Sequence, residues 1–165
     1  MSPMCEEFAP SSLLNEVKRI SVQAQTIFQN AASRAQEKRA AKLLDRLVKM
    51  ESSLQTQCDR LSKKAGDKQY PLTNQEQAEL DKILEQISPE GLLAGASPNA
   101  CLRDVYGFAE KYHRDMTTLL YRITRINATL EKEPALNSLI AQLKQELVYI
   151  QDQTKSKDGV MPSCC

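Results

Sequence analysis

Residues 105–130 read VYGFAEKYHRDMTTLLYRITRINATL, and within them Val105, Ala109, Tyr112, Met116, Leu119, Ile123, Ile126 and Leu130 recur at alternating steps of four and three. Such a heptad seam puts one narrow apolar stripe on a helix, and that stripe must be buried against other helices. Met116, Leu119 and Ile123 lie mid-register and are expected at the centre of the packed interior.

The same alternation runs through Leu13, Val17, Ile20, Ala24, Ile27 and Ala31, and a second register follows at Ala40, Leu43, Leu47, Met50, Leu54 and Leu61. At roughly 100° per residue the two stripes are rotated by about 130°. Helical pattern begins after Ser11 or Ser12, either of which can cap it, and neither Gly nor Pro interrupts the chain from there to Lys64. Two versions stay open. One is a single helix of about 80 Å at 1.5 Å rise per residue. The other is a broken helix, with Asn30 as the left-handed C-terminal residue and Ser33 with Gln36 as a capping box.

Gly66-Asp67 and Tyr70-Pro71 end this region. Thr73 with Glu76 forms a capping box for a short helix with Leu80, Ile83, Leu84 and Ile87 inward. Ser88-Pro89-Glu90-Gly91 closes it, and Leu92 to Ala96 reads as a loop or single turn. Ser97-Pro98 supplies an N-cap and a proline at the first position of the heptad helix, which is expected to run to about Lys132. Glu133-Pro134 then forces a boundary before a last helix carrying Leu136, Leu139, Leu143, Leu147 and Ile150. The fold expected is all-α with no sheet, four to five helices in an elongated antiparallel helical bundle or coiled-coil hairpin. Residues 1–10 read as a flexible leader, 11–155 as a single domain and 156–165 as a flexible tail.

Composition narrows function more than it names it. Lys plus Arg at 22 against Asp plus Glu at 21 leaves +1, so no global field recruits nucleic acid or membrane. Cys5, Cys58, Cys101, Cys164 and Cys165 are odd in number and lack a CxxC spacing, which disfavours a disulfide framework or zinc module and fits a reducing, cytoplasmic setting. Met1 to Pro10 carries Glu6 and Glu7 without an apolar segment, so no secretory signal is read there. The sequon Asn127-Ala128-Thr129 is placed mid-helix and read as unused.

Among candidate sites, Arg34, Lys38, Lys42, Arg46 and Lys49 fall within about 120° of one another on a continuous helix. They form a candidate strip for an acidic partner, diluted by Glu37 and Asp45. No aromatic residue interleaves with them, which argues against single-stranded nucleic acid. Phe108 and Tyr121 lie off the seam and are candidate anchors for a partner helix. His113, the single histidine, could pair with Cys101 or Asp115, but between Tyr112 and Arg114 it reads as an ordinary, partly exposed residue. Glu79, Asp81 and Glu85 read as a solvated face. The glycines form no phosphate loop. No catalytic residue, cofactor or metal site is therefore expected, and the chain reads as a non-catalytic helical adaptor or structural subunit. It would bind protein partners through coiled-coil-like helix packing, as a homo- or hetero-oligomer in a multi-protein complex.

An alternative rests on the final dipeptide. Cys164-Cys165 resembles the geranylgeranylated ends of Rab-type GTPases, and the resemblance implies lipidation at these cysteines, with Lys155 and Lys157 adding electrostatic attraction to a membrane. It extends to no GTP-binding loop, and Pro162 stands where a CaaX cysteine would be. On this reading the chain is a lipid-anchored peripheral membrane protein or secreted effector.

Overall fold

The structure, a computed structural model, describes residues 7–96 and 102–154. The expected Ser97-Pro98 cap, Cys5, Cys101, Lys155, Lys157 and the Cys164-Cys165 lipidation site lie outside the described residues. Four long helices dominate: α1 (Pro10–Arg34), α2 (Lys38–Ala65), α5 (Leu102–Thr124) and α7 (Pro134–Thr154). Three shorter ones, α3 (Asn74–Gln86), α4 (Pro89–Leu92) and α6 (Ala128–Glu131), lie between α2 and α7 in the chain. Among the described residues the fold is all-α apart from two-residue strands β1 (Glu7–Phe8) and β2 (Tyr70–Pro71), paired antiparallel with Phe8 opposite Tyr70. That pairing corrects the expectation of no sheet. It buries Phe8 and Tyr70, which offsets the entropy of ordering part of the segment read as a leader.

The first helix starts at Pro10, not at Ser11 or Ser12, because a proline's fixed φ suits the first helical position. The break falls at 35–37. Ala35 and Glu37 are both extended, whereas α1 runs helically through Asn30 and no side chain caps the start of α2. The two rotated stripes thus belong to two helices that fold back on each other. Lys18 pairs with Asp59 at 2.8 Å, and the Gln25 amide donates to Ser52 Oγ at 2.7 Å, so α1 and α2 run antiparallel. Gly66, with φ of 54°, ends α2 in a conformation that L side chains avoid.

The capping box at Thr73 and Glu76 forms as expected. The heptad helix is shorter than expected. It ends at Thr124, and Asn127 instead caps α6 by accepting from the Leu130 amide at 2.9 Å; a side-chain cap of this kind competes with helix continuation. The sequon asparagine therefore sits at a helix start, not mid-helix. Glu133 opens α7: it is buried, accepts from the Ala135 amide at 3.2 Å and meets Lys68 at 3.5 Å.

α1 packs on α2, α2 on α7, α7 on α5 and α5 on α1, while α3, α4 and α6 lie against α5. Because α5 is covered from both sides, its buried face exceeds one seam: Tyr106, His113, Thr117, Leu120 and Thr124 join Val105, Ala109, Tyr112, Met116, Leu119 and Ile123. Met50, Ile126 and Leu147, expected on the seams, are only half-buried. Among the described residues no helix is long and apolar enough to cross a membrane.

Leu119 sits at 6% exposure on α5. Leu119→Ala is expected to cost about 2–5 kcal/mol, and Val148→Ala, at an exposed position, less than about 0.5 kcal/mol. Urea denaturation of both variants checks the contrast.

Candidate functional site

The seams of α1, α2 and α7 each carry one polar residue at the same level. In α1 the buried series is Leu14, Val17, Ser21, Ala24 and Phe28; in α2 it is Leu44, Leu47, Glu51, Leu54, Cys58 and Leu61; in α7 it is Leu139, Leu143, Glu146 and Ile150. From α5, His113 projects into this layer. One ligand atom from each of Glu51, His113 and Glu146 lies within 4.8 Å of the other two. Glu51 is at 0% exposure, His113 at 1% and Glu146 at 8%. His113 is thus not the partly exposed residue expected. Burial of both faces of α5 encloses it.

The hydrogen bonds orient the group. His113 Nδ1–H donates to the Ala109 carbonyl, one turn back, at 2.9 Å. That leaves Nε2 aimed at the carboxylates, 3.3 Å from Glu146 Oε2 and 3.6 Å from Glu51 Oε2. Ser21 Oγ contacts the Glu51 main-chain carbonyl at 3.2 Å and Oε1 at 3.4 Å, and Gln142 donates to Glu146 Oε1 at 3.2 Å. The inward atoms Glu51 Oε2, Glu146 Oε2, His113 Nε2 and the Tyr112 hydroxyl are buried without a well-formed hydrogen bond. These three helices thus converge residues that could hold a metal ion, a grouping of α2, α5 and α7 that no local motif announces.

Burial pushes the Glu51 carboxyl up to about 7; His113 opposes this and Glu146 adds to it. For His113, burial depresses basicity, but the Glu146 and Glu51 carboxylates outweigh it and the net direction is up. Burial also drives the Tyr112 hydroxyl well above its ordinary range, and it pushes the Cys58 thiol up to about 12. Cys58 is therefore a packing thiol with no thiolate nucleophile to offer.

Beside this layer, α2 and α7 part to leave an open groove of about 700 Å³, lined by Lys49, Met50, Arg60, Gln142, Gln145 and Glu146 among others. Arg46 and Tyr149 extend it, the guanidinium donating to the Tyr149 hydroxyl at 3.3 Å. Glu146 reaches both the groove and the buried layer.

The structure splits the expected cationic strip. Arg34 ends α1, whereas Lys38, Lys42, Arg46 and Lys49 follow α2; all five are exposed. Arg46 and Lys49 reach the groove. Phe108 is half-buried, its ring 6.2 Å from both Phe28 and Tyr112. Tyr121 is 48% exposed and flanked by Arg125 and Lys144. Asp115 pairs with Lys111 on the surface and does not join His113, and Glu79, Asp81 and Glu85 are exposed on α3. No protein-family model, curated protein or solved structure matches this chain.

In metal-free protein the native state holds protons on Glu51 and His113 that the unfolded chain releases. Stability is then fully present below the unfolded carboxyl value of about 4.3. It falls as pH rises through about 7 for Glu51, and it falls further as His113 deprotonates. The melting temperature of chelator-treated protein is expected to drop as pH rises from 4.5 to about 7, and Glu51→Gln to flatten the profile. A midpoint constant or rising over that range contradicts this electrostatic reading.

Proposed function

We propose that this chain is a non-catalytic helical adaptor or structural subunit whose four long helices form an antiparallel bundle. It docks an amphipathic, acidic helix of a protein partner along the α2–α7 groove. A cytoplasmic setting, supported by the scattered cysteines, is part of this reading.

The observation that carries it is the charge and polarity of the groove. Arg46, Lys49 and Arg60 supply cations, Met50 and Tyr149 supply apolar surface, and the carboxylate that lines it, Glu146, is buried. A helix laid in such a groove would bury its apolar stripe on Met50 and Tyr149 and set its carboxylates against the cations. Arg46 and Lys49, singled out from the sequence, become rim residues on this reading, and the remaining strip at Lys38 and Lys42 steers encounter.

A photo-crosslinking side chain at Gln145, inside the groove, is expected to capture the partner, and one at exposed Lys82 on α3 is not. Arg46→Glu with Lys49→Glu should lower capture about tenfold or more while leaving the melting temperature near that of the parent. Equal capture from both positions, or indifference to charge reversal, contradicts the proposal.

A further inference from the structure

We propose that Glu51, His113 and Glu146 bind one divalent first-row transition-metal ion, of the Zn²⁺, Fe²⁺ or Mn²⁺ class, within the core between α2, α5 and α7. Ligands about 2.1 Å from such an ion lie about 3–3.4 Å from one another. The imidazole nitrogen stands 3.3 Å and 3.6 Å from the two carboxylates, and all three ligand atoms lie within 4.8 Å of one another, so the sphere closes when the two carboxylates rotate toward each other around the ion.

Orientation argues for a ligand as strongly as distance does. A metal-binding histidine ordinarily donates its other ring N–H to a carbonyl or carboxylate, which fixes the tautomer and aims the lone pair at the ion. His113 does this through Nδ1 and Ala109. Its Nε2 then faces two carboxylate oxygens, and three lone-pair atoms crowd one buried space where none has a well-formed hydrogen bond. Polar atoms at this depth that meet only through contacts of 3.3–3.6 Å, with no well-formed hydrogen bond, are rare in folded chains and cost free energy. An ion at their centre satisfies all three at once.

Charge and donor type select the ion. Two carboxylates and a neutral imidazole carry −2, which a divalent cation cancels in a region where uncompensated charge is expensive. The mixed nitrogen and oxygen set suits Zn²⁺, Fe²⁺ or Mn²⁺, whereas Ca²⁺ and Mg²⁺ take oxygen ligands and Cu⁺ prefers sulfur. All three ligands stand on long helices, which hold a constellation more tightly than loops do. Three protein ligands leave a coordination position for water. Entry is provided where Glu146 meets the α2–α7 groove. The inference stands apart from partner docking, because the ion needs only the core.

The test uses the full chain with Cys5, Cys101, Cys164 and Cys165 replaced by serine, so that these thiols cannot compete, after chelator treatment. Titration with Zn²⁺ alone is expected to give one site per chain and a rise of several degrees in melting temperature. Co²⁺ should give visible d–d absorption without a thiolate charge-transfer band. Glu51→Gln and Glu146→Gln, near-isosteric changes, should each weaken Zn²⁺ binding more than about tenfold, the lower end of the loss caused by removing even an outer-shell partner. X-ray absorption of the Zn²⁺-loaded parent should show nitrogen and oxygen neighbours at about 2.0–2.2 Å, and it decides the matter if a variant fails to fold. Absence of 1:1 binding at about 0.1 mM Zn²⁺, unchanged affinity in folded glutamine variants, or a sulfur neighbour overturns the proposal.

Discussion

Two carboxylates facing one imidazole in the interior set the terms for the rest of this structure. Removing a charged group from water costs several kcal/mol even after relaxation, and the cost is recovered only if a counter-charge arrives in good geometry. Glu51, His113 and Glu146 come from α2, α5 and α7 and meet only in one register of these helices. Sliding α7 by one turn along its seam would bring Leu143 or Ile150 opposite Glu51 and strand a carboxylate among leucines. Heptad seams built of leucine alone tolerate such slips, and a buried polar residue is a recognised device for forbidding them.

The surroundings of Glu51 show how the charge is held from one side and left open on the other. Gln55 Nε2 contacts Ser21 Oγ at 3.3 Å and donates to Gln25 Oε1 at 2.9 Å, and Gln25 in turn donates to Ser52 at 2.7 Å. This ladder runs from the edge of the α1–α2 pair to the Ser21 contact with Glu51. It fixes the Oε1 side and turns Oε2 toward His113. Tyr112, stacked edge-on to the imidazole with centroids 4.8 Å apart, walls the space with an aromatic ring. The same residues that close the core thus shape the site.

Much of this was legible in the chain. The heptad of α5 as far as Ile123, the capping box at Thr73, the proline after Glu133 and the turn at Gly66 follow from local chemistry and appear where expected, whereas the helix stops at Thr124, short of Lys132. The α1–α2 break was less so, because Ala35 and Glu37 carry no cap and tertiary packing of two rotated stripes decides where the chain turns. The polar layer was missed for a specific reason. Met50 and Leu147 are apolar and lie next to Glu51 and Glu146, so an apolar stripe drawn through them looks complete. Extending instead the steps of three and four through Leu47, Leu54, Cys58 and Leu61, and through Leu139, Leu143 and Ile150, lands on the two glutamates. A charged residue on a seam position is the signal. His113 gave no such sign, since its burial depends on α5 being covered on both sides.

Because the chain has one histidine, a ¹⁵N-imidazole label reports on the centre of the layer alone. In metal-free protein, titration followed by ¹⁵N chemical shift is expected to show Nδ1 protonated throughout, held by the Ala109 carbonyl, with the titrating proton on Nε2 and a midpoint above the ordinary histidine value of about 6.5. An ordinary midpoint, with the Nε2–H tautomer dominating in the neutral form, would describe an exposed imidazole and contradict the buried layer on which this account rests.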